Sequence, residues 1–409
     1  MMVTREDPAE IEVLGAPLEL SCGIVLPNRL VKAAMSDSLG DGQGSPTDPQ
    51  VRLYERWLDG GAALAIVGEV QVDARYPEKP GNLVLDASAS KLGLRRLAAL
   101  SGVDRGYVWP QLGHAGALAH EPISHPVGPS ALNVDGLTCS VLSRVDIEEL
   151  PATYASAARR ALDAGFTGVE VHAGHGFLLS QFLSPLFNRR IDRYGGPIER
   201  RCQILVDIVH RIRAETGAGF AIGVKINATD QLEGGLTEVD ALAAIELLGQ
   251  TSVDVIDISG GTYFPGAASS SDRVSAGPYF ADFARRARVV TGSALMLTGG
   301  VKTRRQAAEL IADGGVDLVG LARAMVLDPE LPSTWLGPDS SDPEFPAFVS
   351  PPPGGVTAWY TMRMTALAED REQSFDPTLA EAVAEYDFRD ARRVAGWNTR
   401  FGHIAPKRH

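Results

Sequence analysis

The chain has 409 residues, of which 44% are hydrophobic and 22% are charged, and its formal net charge is −13. This composition is typical of a chain that buries a large core, and the acidic balance disfavours a nucleic-acid surface, which needs clustered lysine and arginine. No apolar run approaches the ~18 residues of a membrane span. The charged start MMVTREDPAE also lacks the apolar centre of a signal peptide, so we expect a cytoplasmic protein that does not span a membrane.

The first element is predicted in residues 1–27, where IEVLG and LELSCGIVL flank a turn. Two short apolar runs around a turn favour a β-hairpin. We expect this N-terminal segment to cap the lower end of the domain that follows.

From residue 28 to residue 330, short apolar runs rich in β-branched residues alternate with longer amphipathic stretches. The stretches LPATYASAARRALDAG and TRRQAAELIADGG, for example, have helical spacing and end in glycine. Eight such strand and helix units predict a closed (β/α)8 TIM barrel of the α/β class. The predicted strands are residues 29–35, 63–70, 107–112, 168–173, 220–226, 254–259, 294–300 and 317–323.

Two segments interrupt or extend the predicted barrel. Residues 113–145 are rich in glycine, proline and serine, and they start with GHAG at a strand end, which favours a long substrate-side loop without regular structure. Residues 331–409 begin with a proline-rich linker, PDSSDPEFPAFVSPPPGG, and continue with a helical pattern. We expect a helical C-terminal extension rather than a second catalytic domain, with a surface for pairing in a homo-oligomer.

Two histidines, His172 and His175, lie at the carboxyl end of the fourth predicted strand in GVEVHAGHG. The carboxyl ends of barrel strands carry the catalytic groups of such folds, so the position indicates an active site. A metal pair and a pair of satisfied core histidines are the alternatives, although no third metal ligand is evident nearby.

The last two predicted strands end in LTGGVKT and VGLARAM, which contain Gly299, Gly300 and Arg323. Loops at these positions bind phosphate in many barrels, since exposed N–H groups and a cation favour an anion. The alternative is that the glycines only form tight turns.

Other strand ends carry polar side chains. Lys225 suits either a cation beside a cofactor or a Schiff-base nucleophile, and the sequence does not decide between them. Gln111 and Ser36 offer both hydrogen-bond donors and acceptors. Asp37 and Glu69 either bias the pocket against anions or are solvated loop carboxylates. His114 is expected to fix the start of the long loop.

These segments together resemble the old yellow enzyme family of FMN-dependent NAD(P)H oxidoreductases over about residues 10–335. The resemblance lies in NRLVKAAMS, QLGHAG and VGPSAL, and above all in VEVHAGHGFLLSQFLSPLFNRRIDRYGGPIERR at 169–201. ISGGTY, LTGGV and VGLAR then follow in the family's order. The resemblance implies the barrel fold, FMN as cofactor, and NADH or NADPH as hydride donor.

The resemblance also implies roles for individual residues. Ser36 would lie near the C4 carbonyl of the flavin, Gln111 at its pyrimidine part, and Lys225 beside N1 in place of the family's frequent arginine. The expected FMN contacts are Ala33, Ala34, Met35, Ser36, Gln111, Lys225 and, at the phosphate, Gly299, Gly300, Ala322 and Arg323. The family more often has proline at the position of Ala34.

In the same family pattern, His172 and His175 would bind a substrate oxygen and stabilise the negative charge that develops there during hydride transfer. Phe177 departs from the pattern, because many members carry a tyrosine there that protonates the substrate. Tyr76 and Tyr263 are the candidates for a substitute proton source and substrate contact.

The expected activity is reduction of an activated C=C bond in a small α,β-unsaturated carbonyl compound. Three alternatives remain open. Phe177 is compatible with a redox-neutral double-bond isomerase, and Lys225 with a Schiff-base aldolase or lyase. A catalytically silent flavoprotein that binds partners through its tail is the third.

Overall fold

The computed structural model of the chain describes residues 8–87, 91–134, 137–264, 277–338 and 341–403. Its centre is a closed barrel of eight parallel strands, which confirms the predicted fold. The first barrel strand (Leu30–Ser36) closes the barrel by pairing with both the last (Leu318–Leu321) and the second (Leu64–Gln71). The barrel strands are β3 (Leu30–Ser36), β4 (Leu64–Gln71), β6 (Tyr107–Gly113), β10 (Gly168–Ala173), β11 (Ala221–Asn227), β12 (Val255–Ser259), β13 (Ala294–Thr298) and β14 (Leu318–Leu321).

Helices surround the barrel and bury one face against it. In the helix Arg144–Ala164, for example, Ile147, Tyr154 and Ala158 are buried, while Ser143 forms a capping box at its N-terminus. The helices between the strands and after β14 are α2 (Asp48–Asp59), α3 (Lys91–Ala98), α4 (Arg144–Ala164), α5 (Leu178–Leu183), α6 (Ile198–Arg201), α7 (Gln203–Thr216), α8 (Glu238–Gly249), α9 (Ala281–Val290), α10 (Arg304–Ala312), α11 (Ala324–Leu327) and α12 (Leu331–Leu336).

The N-terminal hairpin is shorter than predicted. IEVLG is not a strand, because it lies in helix α1 (Pro8–Gly15), whose Leu14 is fully buried and whose Glu10 pairs with Arg304 at 2.7 Å. The hairpin itself consists of β1 (Leu18–Glu19) and β2 (Val25–Leu26), both within LELSCGIVL. Its Leu20 and Leu26 pack among residues at the amino ends of the barrel strands, so it caps the lower end as expected.

The prediction that the long third loop has no regular structure is wrong. It contains two 3-10 turns, Gly116–Leu118 and Glu121–Ile123, and a small sheet. In this sheet β7 (Val127–Gly128) and β8 (Leu132–Val134) both pair with β9 (Leu137–Val141). The remaining short strand, β5 (Leu83–Val84), pairs in parallel with the carboxyl end of β4.

The C-terminal extension folds back onto its own barrel. It contains α13 (Gly355–Ala368) and the long α14 (Leu379–Phe401), which pack on each other. Helix α13 also packs against α2, and Trp397 and Phe401 of α14 are buried. No helix in the described ranges is both long and apolar enough to cross a membrane.

Candidate active site

A cavity of about 360 Å³ opens at the carboxyl ends of the barrel strands. Its volume lies within the ~300–1,000 Å³ of ligand pockets in general. The sequence-predicted residues that line it are Ala34, Met35, Ser36, Gln111, His172, His175, Phe177, Lys225, Tyr263, Gly299, Gly300, Ala322 and Arg323. Residues distant in sequence are therefore brought to one site.

Strand geometry explains why these side chains converge. Successive residues of a strand point to opposite faces, so Glu170 and His172 face the barrel interior while Val169 and Val171 face the helices. The pairing of β3 with β4 shifts register between Lys32 and Met35. Such an irregularity changes the direction of the end of a strand. The residues of β3 that line the cavity, Ala34, Met35 and Ser36, lie at this end.

A cluster of buried polar side chains lies at the floor of the cavity. Lys225 forms an ion pair with Asp257, which also accepts a hydrogen bond from the Thr298 hydroxyl at 2.7 Å. Gln111 donates to the carboxyl group of Glu170 on the next strand. Burial, opposed by Lys225, raises the pKa of Glu170 to about 8. Burial lowers the pKa of Lys225, but Asp257 and Glu170 outweigh it, so the net pKa is raised and the ammonium stays charged.

His172 is a buried neutral imidazole. Its Nδ1 accepts a hydrogen bond from the Gly174 N–H at 3.3 Å, which assigns the ring proton to Nε2. Nε2 lies 3.3 Å from Oε1 of Glu69. Burial, together with His175 and Lys225, lowers the pKa of His172 well below its ordinary value.

His175 is held in place by its backbone and its ring. It adopts φ +58°, a conformation that side-chain-bearing residues rarely adopt, and its N–H donates to the Asn227 side chain at 3.0 Å. Its Nε2 lies 2.9 Å from the Ser259 hydroxyl. Burial and Lys225 lower the pKa of His175 to about 3. The rings of His172 and His175 are 5.2 Å apart and meet edge to face.

The glycine pair after β13 forms the opposite end of the cavity. Gly300 has φ +81°, and a Cβ there would lie 2.3 Å from the Gly277 carbonyl oxygen, so only glycine fits. Arg323 and Lys302 line the same end with two cations. Backbone and cations of this kind suit a phosphate group.

A second cavity, of about 410 Å³, adjoins the first. Glu78, Lys79, Phe177 and Tyr263 line both, and residues 118–122 of the third loop complete the outer one. The rings of Phe177 and Tyr263 are 5.9 Å apart. These residues stand where the inner cavity opens outward.

Several predicted residues lie elsewhere. Tyr76 does not line either cavity, because its ring stacks on His114 at 4.6 Å. Ala33 is fully buried in β3 and does not reach the cavity. Asp37 and Glu69 are both buried, so neither is a solvated carboxylate. Asp37 is bonded by Gln50 and Tyr54, away from the cavity, whereas Glu69 lines it.

The sequence prediction missed one whole wall of the site. Tyr360 and Thr361 of α13 and Tyr386 of α14 line the cavity, although the tail was expected to be an appendage. Glu78 and Lys79 were missed as well. The hydroxyl of Ser36, which was predicted, donates to Glu78 at 3.1 Å.

The fold and this site define a (β/α)8 barrel whose cavity, at the carboxyl ends of the strands, is lined by a histidine pair, a buried lysine and a glycine pair with two cations. The sequence model of the NADH:flavin oxidoreductase / NADH oxidase family matches residues 14–335. The chain belongs to this family, which includes the old yellow enzymes, and is a flavin-dependent oxidoreductase.

Two fungal relatives are named NADH-dependent flavin oxidoreductase iliE. The one from Hypocrea jecorina is 36% identical, with 78% of this chain and 87% of the relative covered. The one from Neonectria sp. is 37% identical over 78% of this chain, which spans only 46% of that longer relative. The solved old yellow enzyme homologue from Zymomonas mobilis has a TM-score of 0.67 at 22% identity, covering 79% of this chain and 92% of that one. This structural likeness supports the fold.

Proposed function

We propose that the protein uses NADH or NADPH to reduce the activated C=C bond of a small α,β-unsaturated carbonyl compound. The observation that carries this proposal is the pair of buried neutral imidazoles, His172 and His175, in the wall of one cavity. Neutral imidazole N–H groups donate hydrogen bonds to an oxygen without adding a full charge. They suit an oxygen on which negative charge develops during the reaction.

The residues present fit FMN. The left-handed backbone at Gly299 and Gly300, with Arg323 beside it, suits the phosphate, and Ser36, Gln111 and Lys225 suit the polar edge of the ring. FMN, when bound, accepts hydride from the nicotinamide and passes hydride to the second substrate. The names of both fungal relatives favour NADH as the donor.

The chain's residues then bind and orient the substrate. His172 would donate from Nε2 to the carbonyl oxygen, exchanging the contact with Glu69 for one with the substrate. His175 would donate to the same oxygen, with Ser259 and Asn227 holding its orientation. The buried ammonium of Lys225 adds a positive charge beneath this pair.

A proton source is needed at the substrate's α-carbon, because Phe177 carries none. Tyr263 is the predicted substitute that lines the cavity, and its ring lies next to Phe177 and 6.0 Å from His175. It is 49% exposed, and part of that exposed surface faces the cavities that it lines. Tyr76 is unsuited to this role because of its position outside the cavities.

The aldolase or lyase alternative is disfavoured by the surroundings of Lys225. A Schiff-base lysine attacks a carbonyl as a neutral amine, and a lowered pKa supplies that form. Lys225 is instead paired with Asp257 and keeps a raised pKa. The pair suits a fixed cation rather than a nucleophile.

A redox-neutral double-bond isomerase is the second candidate function, and Phe177 is the observation that favours it. An isomerase moves a proton between two carbons of one substrate and needs no net reduction. The same cavity and histidine pair would serve both reactions.

The test starts from the full-length protein loaded with FMN. Under anaerobic conditions, NADH or NADPH should bleach the flavin absorbance, and an enone should restore it with formation of the saturated ketone. Bleaching without restoration by any enone, together with shifted double bonds in the products, would support the isomerase instead. A protein that binds no FMN would refute both functions.

A further inference from the structure

The two tail helices form a roof over the active-site cavity. Helix α13 covers the cofactor side, where the Tyr360 ring lies 5.7 Å from the Arg323 guanidinium and the Thr361 hydroxyl donates to the Ser36 carbonyl at 3.5 Å. Helix α14 contributes Tyr386 to the cavity wall. The family match ends at residue 335, so the roof lies outside the matched region.

Tyr386 lines the inner cavity beside a residue that also lines the outer one. The Lys79 ammonium lies 5.1 Å from the centre of its ring, and Lys79 lines both the inner and the outer cavity. Burial, followed by the nearby Glu78, raises the pKa of Tyr386 well above its ordinary value. Tyr386 is therefore a neutral phenol at the junction where Phe177 and Tyr263 also stand.

Charged contacts fix α14 at this position. Arg393 donates to the Ser38 carbonyl at 2.6 Å, just beyond the end of β3. Asp390 accepts from the Ser38 hydroxyl at 3.4 Å and lies 3.6 Å from the Lys79 ammonium. Farther along the helix, Trp397 and Phe401 are buried with residues of the second and third loops.

The loop after β3 is shaped to receive this helix. Gly42 has φ +79°, and a Cβ there would lie 3.0 Å from Cβ of Arg393. On the helix, a Cβ at Gly396 would lie 3.5 Å from the Gly42 carbonyl oxygen, an ordinary contact distance, so the two segments touch there. The glycine in the loop allows the helix to approach closely, so the helix is a fitted part of the site.

We propose that α14 belongs to the substrate site and that Tyr386 is a specificity-determining residue, which contacts the part of the substrate beyond the reacting carbonyl group. This inference rests on the proposed function. The wall there contains the aromatic rings of Phe177, Tyr263 and Tyr386. Aromatic rings favour edge or offset contacts with other rings, so the substrate class is an unsaturated carbonyl compound with an aromatic substituent.

The experiment compares two ligands on the FMN-loaded, full-length protein. One is an enone with an aryl substituent, and the other is a small cyclic enone without one. Their affinities are measured by titration of the flavin absorbance. Tyr386→Ala should weaken binding of the aryl enone about tenfold and that of the small enone much less, since a lost ring contact is worth roughly one factor of ten.

Two further variants sharpen the test. Phe388→Ala is the matched control, because Phe388 lies on the same helix, is 57% exposed and lines neither cavity. This control should bind both enones as the wild type does. Tyr386→Trp should narrow the outer junction and exclude the aryl enone more strongly than the small one.

Equal affinities of the wild type, Tyr386→Ala and Tyr386→Trp for the aryl enone would overturn the proposal. Equal losses for both enones in Tyr386→Ala would overturn it too, because they would indicate a general structural role. Failure of the proposed function looks different: neither enone would then reoxidise the wild-type flavin, whatever its affinity.

Discussion

Nε2 of His172 lies 3.3 Å from Oε1 of Glu69, and both side chains are buried. Burial, followed by the charge of Glu78, raises the pKa of Glu69 well above its ordinary value, while burial lowers that of His172. Both shifts favour the uncharged forms, so the contact is a close approach of two buried neutral side chains rather than an ion pair. Glu69 faces the Nε2 side of the imidazole, from which donation to a substrate oxygen is expected.

We expect His172→Ala to weaken binding of enones and phenolic ligands, because one of the two donors to the ligand oxygen is lost. The rate of alkene reduction should fall by about 10²–10³, as for loss of one donor from an oxyanion site. Titration of the flavin absorbance and stopped-flow reoxidation by an enone measure the two effects. Glu69→Gln, which keeps an acceptor for Nε2, should lose much less. Unchanged affinity in His172→Ala would contradict the assignment.

Phe177→Tyr should restore a phenolic proton donor at the mouth of the inner cavity. If protonation limits turnover, reoxidation of the flavin by an enone should become faster, and more so than its reduction by NADH. Rapid-reaction measurements of the two half-reactions separate these rates. Tyr263→Phe is the paired variant, expected to slow alkene reduction in the wild-type background. Equal reoxidation rates in all three proteins would show that neither phenol position supplies the proton.

Lys225→Met should destabilise the fold by about 3–5 kcal/mol, because it leaves the buried Asp257 carboxylate unpaired. Urea unfolding of the FMN-free protein measures this change in the free energy of unfolding. Replacing both Lys225 and Asp257 by apolar residues should recover much of the loss. Borohydride treatment with carbonyl compounds should leave Lys225 unlabelled. Covalent labelling at this lysine would support the lyase function instead.

Acid should destabilise the protein, because its buried histidines must be protonated. His114 tests this effect separately from the active site, since it lines neither cavity. Burial lowers the pKa of His114 to about 4, whereas an unfolded chain has a histidine pKa of about 6.5. A lowered folded pKa contributes stability above pH ~6.5 that is lost as the pH falls toward 4, about 3 kcal/mol in all.

His114→Asn keeps an acceptor for the Gly116 N–H and removes the titration. The melting temperature of the wild type should therefore fall more steeply than that of the variant between pH 6.5 and 4. The difference between the two curves isolates His114 from the buried carboxyl groups, which titrate in both proteins. Parallel curves would contradict the prediction.

The barrel could be predicted because each strand carries its own local pattern. GVEVHA was predicted at 168–173, and β10 has these bounds. The predicted strand 294–300 was two residues too long, since Gly299 and Gly300 adopt left-handed conformations that end β13 at Thr298. IEVLG was misassigned because a five-residue segment with only three large apolar residues suits a strand or a helix. Packing of Leu14 and the Glu10 to Arg304 ion pair stabilise the helix.

Much of the candidate site was also accessible from sequence, because strand ends are read locally and their carboxyl ends meet in a closed barrel. The histidine pair, Lys225 and the glycine loops all line one cavity. Tyr76 was predicted at the site but lies outside both cavities. The sequence shows how far Tyr76 is from the end of the second strand. It does not show the direction of the ring, which stacks on His114.

Local patterns in the chain thus establish the (β/α)8 barrel and the histidine pair at the end of the fourth strand, and the family resemblance adds the loss of a phenol at Phe177. The partners of these groups and the outer wall of the site depend on contacts between distant residues. Ser38 and Asp390, for example, are 352 positions apart, and no periodicity connects them. Only the folded chain places Tyr386 beside Lys79 over the cavity, because close packing of α14 on the Gly42 loop fixes where that helix lies.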